Sequence, residues 1–209
     1  MKIENVSVSN FSNAIRGMRN PLDSWAKSDS KIYFDTITLG PNDLDLAMRL
    51  IKGGTEHRKF LRQIFVSMDI TAPFYWWKEM DTYKIGTTAN SCSTMHTITK
   101  SPITLTNFDL GDIDFDVLEE YDKNILAPEL FVKFLEWCRT RYIETKDTRY
   151  WKELIRWLPE SWLQKRTWTA DYEVLMNIYR QRHNHKLNEW RIFCNNIITL
   201  PYMNEFLEL

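Results

Sequence analysis

Ile64-Phe65-Val66-Ser67-Met68-Asp69-Ile70-Thr71-Ala72-Pro73-Phe74-Tyr75-Trp76-Trp77-Lys78-Glu79-Met80 switches period in mid-course. Ile64, Val66, Met68 and Ile70 alternate with Phe65, Ser67 and Asp69, the two-residue period of a strand with one face buried. Pro73 is expected at the first position of a following helix, where its missing N–H costs nothing. Trp76, Trp77, Met80 and Lys84 then share a helical face. The next residues, Ile85-Gly86-Thr87-Thr88-Ala89-Asn90-Ser91-Cys92-Ser93-Thr94-Met95-His96, read as a polar loop. It carries hydroxyls, an amide and a thiol, which suit a small-molecule pocket better than a core.

Outward from this segment the chain gives an α+β plan. Val6 and Val8 alternate with Ser in a short N-terminal strand, and the rest of the first thirty residues reads as loop. Asn42 with Asp45 reads as an N-cap pair for a helix carrying Leu44, Ala47, Met48 and Ile51, which Gly53-Gly54 stops. Thr97 to Leu105 has β-branched alternation and reads as a strand. Phe108 to Asp122 is acidic and loop-like. A helix after Pro128 carries Leu130, Phe131, Phe134, Leu135, Cys138 and Tyr142. Another runs from Asp147 to Leu158 and ends at Pro159. Thr169 is expected to cap a helix with Tyr172, Leu175, Met176 and Tyr179. A last helix carries Leu187, Trp190, Cys194 and Ile197. Strands therefore fall in the first half and helices in the second. With 209 residues and no repeat or Gly/Ser linker, one domain over 1–209 is expected. Within it, 1–41 forms a strand and loop region, 42–105 the helix-strand-helix with the polar loop, and 128–199 the helical part.

Composition narrows the function. Lys plus Arg total 27 against 28 Asp plus Glu, a net charge of −1, which disfavours a general nucleic-acid binder but leaves room for a local basic pocket. Nine Trp and an aromatic fraction of 14% exceed core needs and fit an interface or a planar-ligand pocket. Cys92, Cys138 and Cys194 form no CxxC, so a zinc site has little support, and the odd count suits a reducing cytosol. The first residues lack the apolar run of a signal peptide, and no stretch approaches ~18 uninterrupted apolar residues, so no membrane span is expected.

Several residues are candidates for chemistry. Asp171, Leu175, Ile178 and Arg182 form one helical line. Arg182 at its end either snorkels to solvent or reaches an anionic or carbonyl-bearing ligand with its planar fork. His183 and His185 flank Asn184 but do not share a helical face, and no carboxylate-rich partner stands beside them. His57 follows the glycine turn, and His96 follows the polar loop. Cys92 either fills a turn or acts as a nucleophile if a neighbouring cation, Lys84 in sequence, lowers its pKa. No Walker loop, Rossmann glycine fingerprint or serine-hydrolase elbow is present.

Two blocks in the right order carry a family resemblance. Leu158-Pro159 is followed by Trp168-Thr169, then Leu175-Met176-Asn177, then Arg182, and this spacing resembles the C-terminal part of flavin-dependent thymidylate synthases. Ala72-Pro73 resembles the start of that family's signature helix, which leads to Arg-His-Arg; here Thr82-Tyr83-Lys84 stands at that spacing. The resemblance covers roughly residues 42 to 198. It implies a thymidylate synthase-complementing-like sheet flanked by helices, assembled as a homo-oligomer, tetramer or dimer, with active sites at subunit interfaces. It implies reductive methylation of dUMP or a related pyrimidine nucleotide, with FAD, NADPH and methylenetetrahydrofolate, in the cytoplasm.

By the same resemblance Arg182 is the catalytic and nucleotide-contacting Arg. Lys84, Thr87, Asn90, Ser91 and Ser93 fall at nucleotide-binding positions, and Asn177, Lys78, His57 and Asn188 at flavin-binding ones. In one register of the loop Cys92 takes the second Ser position, and in the other Ser93 does. Thr82 and Tyr83 depart from the triplet. Asp171 and Glu173 stand where the family tends to have Asn and Arg, and a carboxylate at 173 is expected to repel a flavin pyrophosphate. The alternative is a non-catalytic nucleotide-binding protein on the same fold, phage-encoded or regulatory.

Overall fold

The structure is a computed structural model and describes residues 1–33, 36–114, 116–117 and 127–208. Strands β1 (Lys2–Ser9), β4 (Phe65–Pro73), β5 (Thr87–Ser91) and β6 (Leu163–Asp171) form one sheet in the order β1-β4-β6-β5. A short antiparallel pair, β2 (Lys31–Tyr33) and β3 (Thr36–Thr38), stands apart from it. The helices are α1 (Phe11–Gly17), α2 (Pro41–Lys52), α3 (Phe74–Met80), α4 (Thr94–Thr97), α5 (Ala127–Thr145), α6 (Thr148–Arg156), α7 (Tyr172–Arg182), α8 (Asn188–Ile197) and α9 (Met203–Leu207). This is the expected α+β class.

β4 follows from its alternation: Val66, Met68, Ile70 and Ala72 are buried, while Phe65 is exposed. Ser67 bonds Thr169 across to β6, and Asp69 accepts from the Thr167 hydroxyl at 2.6 Å. As one index rises the other falls, which marks β4 and β6 as antiparallel. Asn5 of β1 donates to the other Asp69 oxygen at 3.0 Å.

Several sequence expectations need correction. β6 lies in the second half, where only helices were expected, and Trp168 and Thr169 are inside it. The helix that follows, α7, is therefore capped by Asp171, whose carboxylate accepts from Val174 N at 2.9 Å, rather than by Thr169. Pro73 occupies the N-cap of α3, one position before the helix. That helix ends at Met80, so Lys84 lies beyond the face of Trp76, Trp77 and Met80 and is exposed. The polar loop is largely strand β5 and helix α4. Thr97 to Leu105 holds no strand; Ile98 and Ile103 instead drop into a core with Phe108, Leu135, Cys138 and Leu154. On α5, Leu130 is exposed, not buried. Of the acidic loop, residues 115 and 118–122 lie outside the described residues.

Helix α2 is not capped by Asn42 and Asp45. The Asp29 carboxylate accepts from Asn42 N at 2.9 Å and from Asp43 N at 3.1 Å, so the cap comes from thirteen residues upstream. Gly40 permits this approach, since a Cβ there would stand 2.2 Å from Asp29 Cγ.

By contacts the chain divides into two compact units. Unit 1 comprises 1–2, 71–82 and 90–166, and unit 2 comprises 3–70, 83–89 and 167–209. In unit 1, Trp76 and Trp77 pack edge to face, and Trp77 Nε1 donates to Gln164 O. The Arg166 guanidinium lies 4.2 Å from the Trp77 ring centre and pairs with Asp81 at 2.7 Å. In unit 2, Phe11, Tyr172, Tyr202 and Phe206 form an aromatic cluster, and Trp168 and Trp190 each meet Phe193 edge to face.

Candidate functional site

The candidate residues fall into two groups, one within each unit. In unit 2, α7 ends on Arg182, which is half-buried. Leu175 and Ile178, on the same line of the helix, are fully buried, so the line runs from core to Arg. Arg182 Nε donates to the Tyr83 hydroxyl at 3.0 Å, and that hydroxyl donates onward to Gln181 Oε1 at 2.8 Å. The guanidinium lies 4.8 Å from the Trp190 ring centre and 5.8 Å from that of Tyr83. Such an arrangement removes torsional freedom from the guanidinium before any ligand arrives. Of the sequence's two readings, simple snorkelling does not account for two aromatic rings and an oriented hydroxyl on one cation. The residue that orients it, Tyr83, was read from sequence only as a loss from the triplet.

The approach to this cluster depends on Gly86, which has φ +74°. A Cβ there would stand 2.9 Å from Val174 Cγ2 and 3.0 Å from Asp171 Oδ2. Burial raises the Asp171 pKa, opposed by the backbone N–H bond from Val174. Thr87 donates to the Tyr83 carbonyl, tying the start of β5 to the turn that presents Tyr83. Asn188 is the first residue of α8 and is exposed.

On another face of α7, Glu173 is 7% exposed and is not left to repel an anion. Arg58 Nε donates to it at 2.7 Å, and Arg62 Nε approaches its second oxygen at 3.2 Å. Two guanidiniums against one carboxylate leave the trio with a net positive charge, which corrects the expected repulsion. Asn177 follows Glu173 by one helical turn and shares its face. His57, next to Arg58 in the chain, lines a cavity of about 490 Å³ with Asn20, Leu50, Lys59, Phe60 and Gln63. Arg58 and Arg62 were missed from sequence, because their partner lies over a hundred residues away.

In unit 1, Asn90 and Ser91 end β5 on exposed positions. Ser91, Ser93 and Thr94 line a cavity of about 390 Å³ with Phe74, Leu158 and Gln164. Gln164 Nε2 donates to Cys92 O at 3.1 Å, and Cys92 N donates to Lys165 O at 2.8 Å, so the loop is pinned along β6. Cys92 is exposed, with its Sγ 3.8 Å from the Thr97 hydroxyl. Lys78 forms an exposed ion pair with Glu160. Burial pushes the Cys194 thiol up to about 12 against the opposing pull of Arg182, so Cys194 is a packed neighbour of the cluster and not a nucleophile. Among the described residues no cluster of His, Cys, Asp and Glu could hold a metal ion, and no helix is long and apolar enough to cross a membrane.

No family model and no curated protein matches the sequence. Solved structures match its fold. One is the flavin-dependent thymidylate synthase ThyX from Helicobacter pylori complexed with FAD and dUMP; another is Thymidylate Synthase X from the same organism with FAD and dUMP. Each is 18% identical to this chain, covers 99% of it over 97% of its own length, and superposes with a TM-score of 0.67. At that identity the likeness is one of architecture: the chain has the fold of these flavin-dependent thymidylate synthases.

Proposed function

We propose that the chain is a flavin-dependent thymidylate synthase-like protein that binds a pyrimidine nucleotide through Arg182 and reductively methylates dUMP or a related nucleotide. The observation that carries this reading is the held guanidinium of Arg182, fixed by Tyr83 and Trp190 at the end of α7. It sits on a fold shared with enzymes solved with FAD and dUMP. A planar fork with its orientation already set suits the carbonyl oxygens of a pyrimidine ring, and it stabilises negative charge that develops on them.

FAD would supply hydride transfer when bound, with NADPH and methylenetetrahydrofolate as the sources of hydride and carbon. The residues present fit such a dinucleotide. The Arg58–Glu173–Arg62 trio keeps a net positive charge for a pyrophosphate, and the cavity at His57 is roomy. Asn177, His57, Lys78 and Asn188 are the proposed flavin contacts. Lys84, Thr87, Asn90, Ser91 and Ser93, with Arg182, are the proposed nucleotide contacts. Both groups need not serve from one copy, because the resemblance implies a homo-oligomer, dimer or tetramer, with sites formed between subunits. Cys92 has no step assigned to it.

The visible absorption spectrum of freshly purified protein tests the cofactor, and tritium release from labelled dUMP tests the chemistry. A flavin band and turnover are expected; colourless protein that does not respond to added FAD or dUMP refutes the reading. Tyr83, standing in the signature triplet and occupying Arg182 Nε, favours a second reading, a non-catalytic nucleotide-binding protein. Nucleotide binding without tritium release would select it.

A further inference from the structure

Within unit 1 a chain of hydrogen bonds runs from the end of α3 to the Cys92-Ser93 link between β5 and α4. Asp81, just past α3, accepts from Arg166 Nη1 at 2.7 Å. Arg166 Nε donates to Gln164 Oε1 at 2.9 Å. Gln164 Nε2 donates in turn to Cys92 O at 3.1 Å and to Thr94 Oγ1 at 3.4 Å. Gln164 and Arg166 are two residues apart on β6, so their side chains leave the same face of the strand. Trp77 steadies both: its ring centre lies 4.2 Å from the guanidinium, and its Nε1 donates to the Gln164 backbone carbonyl at 2.9 Å.

Donor and acceptor chemistry fixes the sense of this chain. A guanidinium has only donors, so the Gln164 amide turns its oxygen to Arg166. Its N–H groups then face Cys92 O and the Thr94 hydroxyl; a flipped amide would set oxygen against the Cys92 carbonyl oxygen. One amide thus holds the residues on either side of Ser93. Ser91, Ser93, Thr94 and Gln164 line the cavity of about 390 Å³, and none of its described lining residues is charged. What fills that cavity is therefore held by hydrogen bonds, which weaken steeply with angle and distance, and not by the field of a cation. Such a site depends on preset geometry. Arg166, with its side chain 13% exposed, is not among the described lining residues, so it reaches the cavity through Gln164.

We propose that Arg166 is a positioning residue for the nucleotide: it sets the Gln164 amide, and that amide holds Ser93 to the cavity. The nucleotide as occupant rests on the function proposed above; the hold of Arg166 on residues 92–94 does not.

Cys92 reports on this segment directly. It is exposed, while Cys138 and Cys194 are buried, so the rate at which the folded full chain reacts with dithiobis-nitrobenzoate measures how firmly residues 92–94 are held. Arg166→Met and Gln164→Met are each expected to raise that rate about fivefold, the loss of one hydrogen bond. The double variant should rise no further than either alone, because the two residues act in series. Arg166→Met should also bind dUMP about fivefold more weakly, read by calorimetry with FAD present. If Arg166→Met does not fold, as thermal melting will show, Asp81→Asn, at a side chain 57% exposed, is read in its place. An unchanged thiol rate, effects that multiply in the double variant, or dUMP affinity indifferent to Arg166→Met would each overturn the proposal. A thiol rate that responds as expected in a chain that binds no dUMP would instead refute the nucleotide reading and leave the hold of Arg166 on the segment standing.

Discussion

Tyr83 Oη accepts from Arg182 Nε at 3.0 Å across ninety-nine residues of chain, and donates in turn to Gln181. A residue that departs from the family signature is thus the group that orients the guanidinium proposed to hold the nucleotide. Tyr83→Phe removes both hydrogen bonds and leaves the ring contact with Trp190 in place. Nucleotide affinity is expected to fall about fivefold and stability by about 1 kcal/mol. Calorimetry with dUMP and urea denaturation read the two effects separately.

Arg182→Lys keeps the charge but loses the planar fork and the stacking on Trp190. An expected loss of about tenfold or more in dUMP affinity, with little change in melting temperature, would show that geometry and not charge alone is used. Equal affinity would point to a purely electrostatic contact.

Gly86→Ala forces a side chain into a left-handed turn at φ +74° and against Val174 and Asp171. The expected cost is about 1–3 kcal/mol, read as a lower urea midpoint with an unchanged slope. Because the clash falls on the first turn of α7, dUMP affinity should decline in step.

Stability should also depend on acid through Asp43. Burial works to raise its pKa, but the hydrogen bonds from Ser30, Ser28 and Arg19 outweigh it and hold the carboxyl below its ordinary value of 3.8. The unfolded chain then binds this proton more readily than the folded one. The contribution is therefore present above about pH 4 and is lost as pH falls through the depressed folded-state value. Urea midpoints measured from pH 6 down to the acid limit should fall less steeply below pH 4 for Asp43→Asn than for the wild type. Equal steepness would remove Asp43 from the acid response.

How much of this could be read in the sequence depends on where each residue's partner lies. β4 was legible because Val66, Met68 and Ile70 face one core from one short segment. β6 was not, because Gln164, Lys165 and Arg166 interrupt its apolar pattern and buried residues appear only from Trp168 onward. β5 has mostly exposed side chains, so no alternation could mark it. Helix α1 does bury Phe11, Ala14 and Ile15 at helical spacing, a signal hidden among Ser and Asn. In the candidate site, Arg182 could be singled out from its apolar line along one helix. Tyr83, Arg58 and Arg62 could not, since each gains its meaning from a partner about a hundred residues distant.

The most direct test of nucleotide binding through Arg182 is calorimetric titration of dUMP into the full chain with FAD present, wild type against Arg182→Ala. Saturable binding by the wild type, weakened at least about tenfold in the variant, is the expected result. No binding by the wild type, or equal binding by both proteins, would contradict it.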